Sequence, residues 1–162
     1  MPSWTDVTRL APELSTAVQE RFDAHGVALL ATIRRDGSPR ISGLEPLFAG
    51  GELWMGMMPS SRKSLDLRRD PRFALHTTIV DKKAVDGDAR IRGEAVAIED
   101  PDSVSHYLRA FEAANGYGPG TGSIDLYRAE ISEIMFLRPE DGDHLAIRWW
   151  TEHGGLRSRD RY

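Results

Sequence analysis

A chain of 162 residues with 40% hydrophobic and 28% charged residues is long enough for one well-filled core and too apolar for disorder. Its formal net charge of −4 gives no general pull toward nucleic acid or an anionic membrane, and no apolar run approaches the roughly 20 residues that span a bilayer. With no cysteine there is no disulfide, thiol nucleophile or thiolate metal site, and the N-terminus lacks the basic start and apolar stretch of a signal peptide. The expectation is a cytoplasmic protein of one domain, 1–162, with loose tails at 1–9 and 153–162.

Residues 10–25 carry Leu10, Leu14, Ala17, Val18 and Phe22 near helical spacing, and Gly26 follows as a C-cap would. Residues 27–34 read as a buried strand, Asp36-Gly37 as a hairpin turn, and 40–48 as a second strand. Gly43 and Pro46 interrupt that strand, which predicts a bulge or a sheet edge. Gly50-Gly51 turns into a third strand over 52–58, and a short helix then runs to Asp70. A fourth strand covers 72–80 and a charged loop 81–88. The fifth, 89–99, alternates Ile91, Gly93, Ala95 and Ala97 against Arg90, Arg92 and Glu94. Residues 101–115 form a helix near an Asp100 or Asp102 cap, 116–122 a glycine-rich loop, and 127–138 and 145–151 the last two strands. Strands joined by short glycine turns, with helices only at intervals, predict a mainly β, antiparallel barrel with a few peripheral helices. The regular strand–helix alternation of a doubly wound parallel sheet is missing.

The short helix is the most informative stretch. Pro59, Ser60 and Ser61 are start signals, and Pro71 stops it. Its first turn carries Arg62 and Lys63, where the positive end of the helix dipole favours acids. Only three of the 21 basic residues are lysine, which makes Lys63 more noticeable. Two solvated surface charges would explain the pair. A phosphate explains it better, because free backbone N–H groups, a serine hydroxyl, a guanidinium and an ammonium would converge on one point.

Other features are weaker. The run Gly116-Tyr-Gly-Pro-Gly-Thr-Gly has no lysine after its last glycine and does not link a strand to a helix start, so it reads as a flexible loop that borders a pocket. His25, His76, His106, His144 and His153 lack the spacing of helical zinc motifs, and no metal is expected. His76 reads as a satisfied, half-buried residue. Serine-nucleophile motifs are absent. Of Trp149 and Trp150 only one can face inward; the other fills volume, meets a partner subunit or meets a flat ligand.

The stretches Ala31-Thr-Ile-Arg-Arg-Asp-Gly-Ser-Pro-Arg-Ile, Gly51-Glu-Leu-Trp-Met-Gly, Ser61-Arg-Lys-Ser-Leu-Asp-Leu-Arg-Arg-Asp-Pro-Arg-Phe-Ala-Leu and Ile91-Arg-Gly-Glu-Ala together resemble the pyridoxamine 5′-phosphate oxidase-like family, the FMN-binding split β-barrel group. The resemblance implies a homodimeric antiparallel split β-barrel with two flavin sites between subunits. It implies that Arg62 and Lys63, with Ser61 beside them, grip the flavin phosphate. Arg40, Ile41, Ser42 and Gly43 would lie along the isoalloxazine, with Gly56 and Met57 at the end of the next strand, and Arg148 and Trp149 would reach in from the other subunit.

The oxidase's Arg-x-His pattern is missing from 145–150, and Leu137 stands where the family has tryptophan, so pyridoxamine phosphate is not the expected substrate. The expected activity is hydride transfer to a small organic acceptor, with FMN or an 8-hydroxy-5-deazaflavin coenzyme as cofactor. The deazaflavin's anionic tail would call on Arg40, Arg68 and Arg72. No catalytic side chain is assigned. The rival readings are a non-catalytic flavin- or haem-binding protein, haem requiring His76, His144 or His153, and a structural dimer with an empty cleft.

Overall fold

The structure, a computed structural model, describes residues 1–79, 82–118, 123–140 and 144–162. The elements in chain order are α1 (Trp4–Leu10), α2 (Pro12–Asp23), β1 (Ala28–Ile33), β2 (Pro39–Leu44), β3 (Pro46–Ala49), β4 (Glu52–Met57), α3 (Arg62–Arg69), β5 (Arg72–Thr77), β6 (Asp88–Ile98), α4 (Pro101–Asn115), β7 (Asp125–Glu140), β8 (His144–Thr151) and β9 (Gly155–Arg161).

Every strand pair is antiparallel, in one sheet ordered β2-β1-β5-β6-β7-β4-β3, with β8 on β7 and β9 on β8. This mainly β sheet with four helices agrees with a split barrel. Strands β2 and β4 approach each other without pairing, and the gap between them is the split. The expected second strand breaks at Glu45 into β2 and β3, which take the two ends of the sheet order, as the Gly43 and Pro46 signals predict.

Strand β7 spans the molecule. Its first residues pair with β4 (Leu126 opposite Gly56), its later ones with β8 (Met135 opposite Trp149), and β6 runs along its other side. Between Arg92 and Gly93 the β6–β7 register slips, so that Ser132 is left over and its carbonyl accepts from Glu152 N at 3.0 Å. The β6 alternation persists across the slip to Ala95, but Ala97 is exposed rather than inward as expected.

Inward residues Leu30, Leu53, Met55, Leu75, Ile91, Ile131 and Ile134 form the main core with Trp4, Val7, Leu14, Val18 and Phe22 of α1 and α2. Trp54, Tyr107, Phe111 and Leu126 form a second cluster, which seats α4 against β4 and β7. Of the tryptophan pair, Trp150 is buried and Trp149 half-buried.

Both segments expected to be loose carry regular structure. Ser3 and Asp6 close a reciprocal capping box on α1, whose Trp4 and Val7 enter the core. Residues Gly155–Arg161 pair with β8 along their length although every one is exposed. The glycine-loop residues 119–122 and the turn at 141–143 lie outside the described residues. No described helix is long and apolar enough to cross a membrane.

Candidate functional site

The site is built around the start of α3. Ser60 enters it with φ of 55°, a left-handed conformation uncommon for a residue with a side chain. Asp125, the first residue of β7, holds that turn. Its Oδ2 accepts from Ser60 N at 2.8 Å and from Ser64 Oγ at 2.5 Å, and its Oδ1 from Arg68 at 2.9 Å. Burial works to raise the Asp125 carboxyl, but these bonds and the Arg68 charge outweigh it and hold it below the ordinary value. Ser64 Oγ also meets Tyr127 OH at 2.8 Å, so the helix is fixed to β7 by several polar ties.

The Ser61 hydroxyl makes no capping bond, unlike most N-cap serines, and its Oγ is buried without a hydrogen-bond partner. The first intrahelical bond runs from Leu65 N to Ser61 O, which leaves the N–H groups of Arg62, Lys63 and Ser64 ahead of the ladder. Ser42, on β2, has a second buried and unpartnered Oγ. Lys63 joins these elements: its Nζ donates to Gly43 O at 2.5 Å.

A cleft of about 540 Å³ opens on the Lys63 side, in the split between β2 and β4. Its apolar walls include Leu44, Met57, Met58, Phe111 and Ile124, with Glu45, Lys63, Tyr107 and Tyr117 as polar groups. Burial lowers the Lys63 ammonium pKa, and the Glu45 carboxylate offsets this only in part. Tyr117 donates to Glu45 Oε1 at 2.5 Å and packs edge-on against Phe111. Gly56 is required by close approach: a Cβ there would lie 2.2 Å from Tyr107 OH. The glycine loop does border the pocket through Tyr117 and Gly118.

A second cavity, about 590 Å³, lies on the Arg62 side, lined by Arg34, Arg35, Asp36, Arg40, Arg62, Leu65, Asp66 and Arg69. The buried Asp66 organises it. Its Oδ2 accepts from Thr32 Oγ1 at 2.9 Å and Arg40 Nε at 2.6 Å, and its Oδ1 from Arg69 at 3.2 Å. Burial, the largest influence, pushes this carboxyl up, and the three donors together hold it below the ordinary value.

Arg62 and Lys63 were expected to converge on one point. Successive helical residues point about 100° apart, and here they face different cavities, with the helix start between them. The cations expected to receive an anionic tail are also engaged: Arg40 by Asp66, Arg68 by Asp125 and Arg72 by Asp70. Gly43, Gly56 and Met57 line the cleft with Lys63, while Ile41 is exposed on the outer face of β2. Arg148 and Trp149 stand apart. Met135, opposite Trp149, lies nine residues along β7 from Leu126, opposite Gly56. At the ordinary strand rise that is about 30 Å, so within one chain neither residue reaches the cleft.

Sequence reasoning missed Glu45, Asp66, Tyr107, Tyr117 and Asp125. Their partners are distant in the chain, and the one local signal was an acid inside an otherwise basic helix. His76 is satisfied as expected, with Nδ1 at 2.7 Å from Thr77 O and Nε2 at 3.2 Å from Asp88 Oδ1 in an ion pair without hydrogen-bond alignment.

A search of the curated proteins finds no match. Among solved structures the fold is similar to PhzG from Burkholderia lata, solved with tetrahydrophenazine-1-carboxylic acid (15% identity, 96% of this chain and 91% of that one, TM-score 0.63). It is also similar to a pyridoxamine 5′-phosphate oxidase-related, FMN binding protein from Nostoc punctiforme (12%, 94% and 96%, TM-score 0.62). A third is a heme binding protein from Mycobacterium smegmatis (21%, 88% and 57%, TM-score 0.53). In sequence, the pattern of the pyridoxamine 5′-phosphate oxidase family matches residues 14–138, which span the split, both cavities and the helix between them. The chain belongs to the pyridoxamine 5′-phosphate oxidase family.

Proposed function

We propose that this chain is a cytoplasmic, flavin-dependent oxidoreductase acting as a homodimer, with FMN as cofactor and a small organic molecule as hydride acceptor. The reading rests above all on the two serine hydroxyls, Ser42 Oγ and Ser61 Oγ, buried without partners on either side of the Lys63–Gly43 contact. An unsatisfied buried hydroxyl costs about 1–3 kcal/mol, so two together argue for a ligand that completes them. The lowered Lys63 pKa has the same sense, because an anion beside that ammonium would relieve it.

In this arrangement Ser61, the free N–H groups of the first α3 turn, and Arg62 and Lys63 from either side hold the phosphate. The β2 backbone at Arg40, Ile41, Ser42 and Gly43 lines one edge of the ring system, with the Ile41 side chain turned to the outer face, Gly56 and Met57 line the other, and the apolar cleft wall keeps water from its face. Arg148 and Trp149 complete the pocket from the second subunit. Flavin supplies the hydride chemistry; the chain supplies binding, orientation and electrostatics. An 8-hydroxy-5-deazaflavin coenzyme is the alternative occupant. Haem is less favoured, because both ring nitrogens of His76 are engaged and His144 lies against Tyr162.

Titration of the purified protein with FMN and with the deazaflavin, followed by fluorescence, tests the cofactor. The Arg62→Ala/Lys63→Ala variant is expected to lose about 3 kcal/mol or more of cofactor affinity. Undiminished binding by that variant would overturn the assignment.

A further inference from the structure

We infer that the α4 wall of the Lys63-side cleft is a substrate subsite for a small organic cation, and that the Glu45 carboxylate selects it. Among the described residues that line the cleft, Glu45 is the one acid and Lys63 the one base. They share the cleft without forming an ion pair. Lys63 Nζ donates to Gly43 O at 2.5 Å instead; burial lowers its pKa, and the Glu45 carboxylate, close enough to be felt, offsets only part of this. The substrate class rests on the flavin reading through Lys63. Once that ammonium faces a phosphate, Glu45 is the formal charge left in the cleft, and it is negative.

The chain fixes Glu45 in place. It is the residue at which β2 gives way to β3, and Pro46 after it confines its backbone to extended conformations. Its Oε1 accepts from Tyr117 OH at 2.5 Å, and among the described residues Oε2 has no donor. A carboxylate offers about four acceptor sites, so this one has room for a substrate N–H.

Three rings stand around it. Tyr107 packs against Phe111 and Phe111 against Tyr117, each pair with centroids 5.7 Å apart, along the wall that α4 and its C-terminal turn give the cleft. Burial, and after it the Glu45 charge, push the Tyr107 phenol above its ordinary pKa, so it stays neutral. Among the described residues its OH has no hydrogen-bond partner. Aromatic rings and a carboxylate attract a cationic nitrogen together, the rings through their quadrupoles and the acid through its charge. A phosphorylated substrate, already disfavoured by the missing Arg-x-His pattern, would meet the wrong sign of charge. If Glu45 served only to anchor Tyr117, an uncharged acceptor would do as well.

Calorimetric titration of the FMN-loaded protein with benzylamine, benzyl alcohol and benzoate tests this, because the three share a ring and differ in charge. Benzylamine, an ammonium at neutral pH, is expected to bind at least about tenfold more tightly than benzoate, with the alcohol between them and the preference shrinking as salt rises. Glu45→Gln keeps an acceptor for Tyr117 and should bring the amine within about threefold of the alcohol, while Glu45→Lys should reverse the order so that benzoate binds best. FMN affinity should not fall in Glu45→Gln, since removing an anion from the cleft does not weaken a phosphate contact. Benzoate binding wild type as well as benzylamine, no benzylamine binding at millimolar concentration, or an amine preference that survives in Glu45→Gln each overturns the inference. The same titrations without coenzyme separate it from the flavin reading. Failure of FMN to bind sinks that reading, and the fall in benzylamine affinity from wild type to Glu45→Gln in the coenzyme-free protein then decides this one.

Discussion

Asp66 contributes through what it prevents. Three donors from β1, β2 and its own helix converge on one buried carboxylate, so replacing it leaves Arg40 and Arg69 facing each other with no counter-charge. Asp66→Ala should cost about 3 kcal/mol in urea unfolding, because breaking a buried pair strands the remaining charge. The pH dependence has a definite sign. The folded-state pKa lies below the unfolded value, so the contribution is complete above the unfolded carboxylate pKa, near 4, and is lost as pH falls through the folded one. Asp66→Asn should therefore flatten the acid limb of the stability profile below about pH 4. A variant with the wild-type limb would show that the carboxylate is not coupled to folding. In the sequence this residue stands out only as an acid within a basic helix, and its role is not legible beside Asp70 at the helix end, whose partner Arg72 lies just two residues on. The contacts that tell them apart come from 34 and 26 residues away.

Among elements, legibility followed periodicity. The inward positions of β5 and β6 alternate in the sequence as they do in the sheet, and Pro101 to Asn115 bound α4 by an ordinary cap and a left-handed Gly116. Strand β1 reads as one buried apolar run, yet in the sheet it alternates, with Leu29 exposed and Thr32 buried. Strand β9 has no such pattern, since its only large apolar residue is the exposed Leu156; it is a strand because β8 offers it an edge. Its arginines in turn keep the new edge from recruiting another strand. The β6–β7 slip was equally hidden, although Gly93 marks it. A Cβ on Gly93 would lie 1.8 Å from Glu130 O, backbone that cannot move aside without separating the two longest strands. Gly93→Ala should cost about 3 kcal/mol, measured as a lowered thermal midpoint by circular dichroism. Gly43→Ala, with nothing within 4 Å of its Cβ, should cost little beside it and serves as the control. Equal effects of the two would show that the slip tolerates a side chain.

At the scale of the whole molecule, the outer face of β2, β1 and β5 carries exposed apolar side chains that no described residue of the same chain covers. The register sets Ile41 beside Ala31, Gly43 beside Leu29 and Pro39 beside Ile33, with Ala74 on the far side of Ala31. Leu29 and Ile41 are exposed, Ile41 to 70%, on a sheet whose neighbouring strand turns Arg90, Arg92 and Glu94 to the same side. An apolar sheet face rimmed by charge is the kind of surface that buries itself against a partner. A second copy docked there also answers the other open question in the fold, the roughly 30 Å that separates Arg148 and Trp149 from their own chain's cleft. Assembly and cofactor affinity should then fail together. Ile41→Glu, which places two like charges in a symmetric apolar interface, should shift the protein from dimer to monomer in sedimentation at micromolar concentration, since each unpaired buried charge costs several kcal/mol. Flavin affinity should fall in the same variant even though Ser42, Ser61, Arg62 and Lys63 are untouched. Arg148→Ala/Trp149→Ala should weaken flavin binding while the dimer persists. A monomeric Ile41→Glu protein that bound flavin as tightly as wild type would mean that one chain completes the pocket, and that the outer face serves some other partner.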